Sequence, residues 1–314
     1  MNKCVLVTGG SGFIGTWVLR KLLQQNCRVI VYDVADGGER WAKLLGERRS
    51  EITFVAGDLL NSERLERVFD DYPIDAIIHL AAWLTPPCQL DPYKGCEINV
   101  LGTMRLFELV RHAKHPITGF AYASSVAVYG PEADDAAPAA NSVQALGPQT
   151  FYGAFKKANE LIAMQYWLHF GIASVGLRPF VVYGPGREHG LTAGPTLAAR
   201  AVALGEAYTL PFSGTTGYDF VEDTACAFVR CALEVQNSCC VVDLPGIQAS
   251  VDEVIAVLEA IKPGSRPLLS VDGPALPFTI DTEEFGIERL FSDWKLTPLE
   301  EGLRQVVSYY EAAV

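Results

Sequence analysis

Short apolar runs rich in β-branched residues recur along the first half of the chain, and they constrain the fold more than any other feature. Cys4–Thr8, Arg28–Tyr32, Ile52–Ala56 and Ala76–Leu80 come first, followed by Gly119–Ser124 and Ser174–Leu177, with helical stretches between them. A strand that is apolar at every position, rather than at every second one, is covered on both faces, as in a parallel sheet flanked by helices. The alternation predicts a doubly wound parallel α/β sheet. Phe13–Gln25 carries Ile14, Val18, Leu19, Leu22 and Leu23 on one stripe, the pattern of a helix lying on such a sheet.

Near Pro185 the rhythm breaks into Gly/Pro-rich connections and shorter helices. Asp223–Glu234 and the strand-like Val241–Leu244 then return to the sheet pattern. The expected organisation is a Rossmann-type domain over 1–184, rejoined by 220–244, and a smaller substrate-binding lobe from 185–219 and 245–314. Glu132–Ala145, rich in Ala, Asp and Pro, reads as a surface loop.

A hydrophobic content of 49% with 20% charged residues is globular, not disordered. A net charge of −12 excludes nucleic-acid and anionic-membrane partners, both of which need basic patches. No apolar stretch is long enough to span a bilayer, and no cleavable signal pattern stands at the N-terminus. The eight cysteines form no CxxC pair, and most sit inside apolar runs, so they read as reduced packing residues. The expectation is a soluble, cytoplasmic protein.

Thr8-Gly9-Gly10-Ser11-Gly12-Phe13-Ile14-Gly15 joins the first strand to its helix. Glycines there allow a tight turn and bring backbone N–H groups up to a pyrophosphate at the helix N-terminus, where the dipole favours negative charge. The candidate dinucleotide seat is therefore Gly9, Gly12, Phe13, Ile14 and Gly15. Asp33 ends the second strand, where a carboxylate accepts hydrogen bonds from both ribose hydroxyls and repels a 2′-phosphate. The first basic residue after it is Arg40, so NAD is favoured over NADP. Gly57-Asp58-Leu59 ends the third strand, and Asp58 could reach the adenine amine. Helix capping is the competing reading for both Asp33 and Asp58.

Tyr152-Gly-Ala-Phe-Lys156 sets a phenol and an ammonium one helical turn apart on one face. Composition alone would produce about a third of such a pair, so the spacing by itself carries little. Its weight comes from Ser124-Ser125, hydroxyls at the end of the preceding strand. These parts suit hydride chemistry at a carbon bearing a hydroxyl. A free tyrosine, with a pKa of about 10, is too weakly acidic to serve as a base at neutral pH. Lys156 and the positive nicotinamide ring are both expected to lower that value, while Ser125 holds the substrate oxygen.

With these motifs in order, the chain resembles an extended short-chain dehydrogenase/reductase of the NAD-dependent epimerase/dehydratase family over nearly its whole length. The resembling stretches are Thr8–Gly15, Tyr32-Asp33, Gly57–Leu59, His79–Ala82, Asn99–Thr103, Ser124–Gly130, Tyr152–Lys156 and Leu177–Gly186. The resemblance implies a catalytic Ser125, an acid/base Tyr152, and a Lys156 that also grips the nicotinamide ribose. It places Leu80, Ala81 and Ala82 against the dinucleotide, Asn99 on the nicotinamide side and Phe180 near the ring. It also implies a homodimer through the two helices near Glu97–Ala113 and Tyr152–Phe170, which are apolar more than halfway round.

The implied activity is oxidation, reduction or epimerisation at a hydroxyl or keto carbon of a sugar, sugar acid or nucleotide sugar. Two departures bear on the substrate. Val181 stands where nucleotide-sugar members usually carry Asn, and Thr216-Gly217-Tyr218 stands where they often carry Arg-Asp-Phe. Arg187 or Arg200 could supply the missing cation, and Arg187 could equally clamp a carboxylate. Trp83 and Thr85 follow the fourth strand as candidate substrate residues, a buried loop being the alternative. Val126 and Ala127 follow Ser125 where dehydratases place an acid/base pair. His79 reads as a core histidine, and the His112/His115 pair closes a helix, so no metal site is expected. A non-catalytic NAD-sensing protein is the rival reading, and the intact Tyr/Lys/Ser set weighs against it.

Overall fold

The computed structural model describes residues 2–129, 147–235, 237–276 and 286–312. The loop expected over Glu132–Ala145 lies outside them. The chain divides into two compact units, Met1–Arg178 with Ala225–Val242, and Pro179–Thr224 with Asp243–Val314.

The first unit alternates strand and helix: β1 (Cys4–Thr8), α1 (Phe13–Gln24), β2 (Arg28–Asp33), α2 (Gly38–Leu45), β3 (Ile52–Ala56), α3 (Ser62–Asp71) and β4 (Ala76–His79). Then come α4 (Thr85–Leu90), α5 (Pro92–Cys96), α6 (Gly102–Arg111), β5 (Gly119–Ala123), α7 (Phe151–Phe170) and β6 (Ser174–Pro179). Later elements are β7 (Val181–Tyr183), α8 (Gly194–Leu204), β8 (Tyr208–Leu210), β9 (Thr215–Phe220), α9 (Val221–Glu234) and β10 (Cys239–Leu244). The chain closes with β11 (Ile247–Ser250), α10 (Val251–Ile261), β12 (Leu269–Val271) and α11 (Leu299–Glu311).

Seven strands form the main sheet in the order β10-β6-β5-β4-β1-β2-β3, a doubly wound topology that reverses direction at β1. The neighbouring pairs from β3 through to β6 are parallel. Val5, Leu6 and Val7 are all fully buried, which explains why β1 is apolar at consecutive positions. On one face Leu6, Ile30, Tyr32, Ile77, Phe120 and Tyr122 pack against Leu65, Leu106, Phe107, Ala163 and Tyr166. The Phe107 ring anchors that layer, with centroids 4.6 Å from Phe120 and 4.8 Å from Tyr166.

Register places the site. Thr8 pairs with both Tyr32 and His79, His79 with Tyr122, and Tyr122 with Gly176. The residues that follow these positions, Gly9, Asp33, Leu80 and Ala123, therefore line up along one edge of the sheet, where the four strands end.

The second unit has a three-stranded sheet, β11-β9-β7, and a two-stranded one, β12-β8. Tyr183, Tyr218 and Phe220 pack there with Val202, Val254, Leu258, Leu303 and Val306. Ser250 and Glu253 form a reciprocal capping box that starts α10.

Candidate active site

The turn between β1 and α1 closes on itself, with the Gly12 N–H donating to the Gly9 carbonyl at 3.1 Å. A Cβ at Gly9, whose φ is +74°, would stand 2.5 Å from the Ala81 nitrogen, and one at Gly15 would stand 2.2 Å from the Gly9 oxygen. Only glycine fits either place. At Gly12 a Cβ would meet nothing closer than the Gly9 oxygen at 3.2 Å. Gly12 caps α1 with no side-chain hydrogen bond, and no acidic residue stands in the first turn. A helix N-terminus of this kind accepts an anion.

Asp33 faces that turn. Its Oδ2 accepts the Ser11 N–H at 3.0 Å and its Oδ1 the Val34 N–H at 2.8 Å, while Gly37 is the residue that caps α2. Asp33 is thus not a helix cap. Asp58 accepts the Leu60 N–H at 2.9 Å, and the cap of α3 is Asn61. Sequence reasoning missed two donors on α2. Arg40 Nη1 donates to the Ser11 carbonyl at 2.9 Å, and Trp41 Nε1 donates to the Gly10 carbonyl at 3.3 Å. Arg40, distant in sequence, therefore stands at the glycine turn.

Tyr152, Lys156 and Ser125 come together at the same sheet edge. Thr150 starts α7 by accepting the Gly153 N–H at 3.0 Å. A Cβ at Gly153 would lie 2.1 Å from the Ala127 carbonyl oxygen, so glycine lets α7 close on the turn after Ser125. Lys156 is buried, with Nζ 2.6 Å from the Ala123 carbonyl and 5.5 Å from the Tyr152 ring centroid. Ser125 Oγ accepts the Ala127 N–H at 3.2 Å.

The charge states depart from the expectation. Burial pushes the Tyr152 phenol up to about 12; the Ser125 hydroxyl, placed to hydrogen-bond it, pulls the other way, and Cys88 adds to the rise. Burial brings the Lys156 ammonium down to about 8, against an opposing effect of Cys88. In the protein alone the expected lowering of Tyr152 is absent, because desolvation of the phenolate outweighs the help it receives.

Asn99 lies in a π-helical turn, Glu97–Leu101, and braces the loop after β4. Its Oδ1 accepts the Trp83 N–H at 2.7 Å and its Nδ2 donates to the Trp83 carbonyl at 2.9 Å. Cys88 is fully buried beside this amide, 3.4 Å from Nδ2. Leu80, Ala81, Ala82, Trp83 and Thr85 follow on this edge, and Leu59 is buried under Gly102. His79 bridges Thr8 Oγ1 at 2.6 Å and Thr103 Oγ1 at 2.9 Å, linking β1 to α6.

In the second unit, the Phe180 N–H donates to Asp219 Oδ2 at 2.6 Å. Arg187 turns onto its own loop, donating to the Val182 carbonyl and, at 2.6 Å, to Thr192 Oγ1, and burial brings it down to about 10. Val181 and Thr216 are buried strand residues, opposite Tyr218 and Ala249.

A model of the NAD dependent epimerase/dehydratase family matches residues 5–239. The chain belongs to this family. NAD is the cofactor on which the family depends, and the glycine turn and Asp33 fit a dinucleotide. Protein CapI of Staphylococcus aureus is 33% identical over 58% of this chain and 54% of its own length. UDP-glucuronate 4-epimerase 3 of Arabidopsis thaliana is 32% identical over 58% of the chain and 43% of its own. The chain thus spans about half the length of the curated relatives it matches. The structure of Thermus thermophilus UDP-glucose 4-epimerase in complex with NAD is similar at 25% identity and a TM-score of 0.79, covering 99% of this chain and 100% of the other.

Burial holds the His79 imidazole neutral, bringing its pKa from 6.5 to about 3. The unfolded chain therefore binds a proton that the folded chain refuses between those values, and stability falls as pH drops through that window. Unfolding free energies measured in urea between pH 7 and 4 should fall by a few kcal/mol more for wild type than for His79→Asn. Parallel slopes for the two proteins would remove His79 as the responsible group.

Proposed function

We propose that the protein is an NAD-dependent oxidoreductase or epimerase acting at a hydroxyl-bearing carbon of a sugar or sugar-derived substrate. The observation that carries this reading is the meeting of Tyr152, Lys156 and Ser125 at the sheet edge that also presents the glycine turn and Asp33. Gly9, Gly12, Phe13, Ile14 and Gly15 would hold the pyrophosphate, Asp33 the adenosine ribose, and Asp58 and Leu59 the adenine end. Leu80, Ala81, Ala82 and Asn99 would line the nicotinamide half. Bound NAD supplies the hydride acceptor and a positive charge.

Tyr152 holds the proton that leaves or rejoins the sugar hydroxyl, and its phenolic oxygen is the acid/base atom. Ser125 orients the same sugar oxygen, while Lys156 bonds the nicotinamide ribose and favours the phenolate. Trp83 and Thr85 are the proposed substrate contacts. A nucleotide-sugar 4-epimerase that retains its NAD is the second reading. It is favoured by the named relatives, whereas Val181 and Thr216 offer neither the amide nor the guanidinium that hold a nucleotide diphosphate. Free thiols at all eight cysteines support a cytoplasmic location, and no helix among the described residues is long and apolar enough to cross a membrane.

We further propose a homodimer through α6 and α7. Leu101, just before α6, and Leu161, Met164 and Leu168 on α7 are exposed, Leu168 at 64%; a groove of about 460 Å³ between α3 and α6 includes Leu101, Met104 and Leu109 in its lining. Apolar faces of this extent mark an interface. Light scattering should give twice the chain mass for wild type and the single mass for Leu168→Asp; a monomeric wild type would refute the interface.

Tyr152→Phe should lose turnover by about 10²-fold or more with NAD affinity nearly unchanged. The assay follows NADH absorbance and product stereochemistry with free sugars, sugar acids and nucleotide sugars, and a variant of normal rate removes Tyr152 as the acid/base. Asp33→Ala should weaken NAD and strengthen NADP, because Arg40 already stands at Ser11 to meet a 2′-phosphate. An unaltered NAD/NADP ratio in a fluorescence titration would reject the assignment of Asp33.

A further inference from the structure

Glu160 lies one turn beyond Lys156 on α7, so Tyr152, Lys156 and Glu160 share one helix face. It is buried, as is Arg178 near the end of β6. The two join by a bidentate pair of hydrogen bonds, Arg178 Nε donating to Oε1 at 2.6 Å and Nη2 to Oε2 at 2.7 Å. Glu160 Oε1 also accepts the Ser124 hydroxyl at 2.6 Å, and Oε2 lies 3.3 Å from Lys157 Nζ. Arg178 Nη1 donates to the Tyr129 hydroxyl, and its guanidinium carbon stands 4.8 Å over the Tyr129 ring.

Ser124 immediately precedes Ser125, and Tyr129 ends the single turn Val126–Val128 that follows it. One buried ion pair thus grips the chain on both sides of Ser125 and fixes it to the helix that carries Tyr152 and Lys156. Lys156 adds a third tie, to Ala123. A buried ion pair is a poor source of stability, because desolvating two charges offsets most of their attraction. The rigid fork of an arginine on a carboxylate does fix direction and distance.

We infer that Glu160 and Arg178 are the positioning pair of the active site, setting the spacing between the Ser125 hydroxyl and the Tyr152 phenol through Ser124 and Tyr129. This rests on the catalytic reading of Tyr152 and Ser125. The pair itself touches no reacting atom.

The test separates the pair's geometry from its charge. Ser124→Ala leaves Glu160 bonded to Arg178 and Lys157, and Tyr129→Phe leaves the bidentate Arg178–Glu160 pair intact, so neither strands a buried charge. Arg178→Lys keeps the charge and loses the fork. All are assayed as NAD-saturated protein with glucose, glucuronic acid, UDP-glucose and UDP-glucuronic acid, beside wild type and Tyr152→Phe.

A displacement on the order of 1 Å can cost up to about 10²-fold in rate. Ser124→Ala and Tyr129→Phe should therefore lose about 5–20-fold in kcat and Arg178→Lys about 10²-fold. KM, NAD dissociation constant and melting temperature should stay near wild type for the first two. The titratable groups facing the phenol are Lys156 and Cys88, and its hydroxyl neighbour is Ser125. Loosening Ser125 withdraws a hydrogen bond that favours the phenolate, so the pH at which kcat for oxidation rises should move upward.

A melting temperature lowered in Ser124→Ala and Tyr129→Phe, with kcat per folded molecule and pH profile unmoved, would make the pair merely structural and overturn the inference. Wild-type rates in both variants beside an inactive Tyr152→Phe would do the same while leaving the catalytic reading standing. Equal rates for wild type and Tyr152→Phe on every substrate would bring down both.

Discussion

The level parallel register of β1 with β2 and β4 is the constraint on which the rest depends. Backbone hydrogen bonds hold Thr8 opposite Tyr32 and His79, so the chain leaves three strands at one height. A shift of one residue in β2 would turn Asp33 away from the glycine turn, because side chains alternate faces along a strand. The same level continues through Tyr122, which brings Ala123 and the two serines after it to the edge reached by α7. His79 and the hydroxyls of Thr8 and Thr103 lock this height from inside, where an unpaired polar atom would be costly.

Desolvation is the second theme. The site holds its phenol neutral and brings its ammonium to a value near neutrality, so neither group carries its chemistry fully formed in the protein alone. A cation arriving in such a place acts in a poorly screened environment, where its effect on a neighbouring proton is larger than in water.

The legible part of the fold was the part written as local pattern. β1, β3 and the start of α1 show as apolar runs and a stripe, and the glycine turn between them shows because close backbone approach leaves no other residue type. Tyr152, Lys156 and Ser125 were legible as spacing and order. The sequence did not show what holds them. Glu160 and Arg178 are 18 residues apart and Ser124 is 36 from Glu160, and only the folded sheet makes them neighbours. Glu160 did carry a faint mark, standing four residues after Lys156 on the same face. Arg40 was read by its distance along the chain, whereas α2 folds it back onto Ser11. The burial that raises the Tyr152 phenol in the protein alone is a property of packing, not of the residues nearby in sequence.

Gly153 has a consequence for how this site can diversify. The Ala127 carbonyl fills the space where any side chain at that position would begin, while Phe151 and Ala154, on either side of Tyr152 and Gly153, are exposed. The helix that carries Tyr152 is therefore closed to change on one side and open on the other. The outer side can change without a clash, whereas enlarging residue 153 would require the Ser125 turn itself to move. The gap between α7 and the turn after Ser125 is set by the smallest residue type.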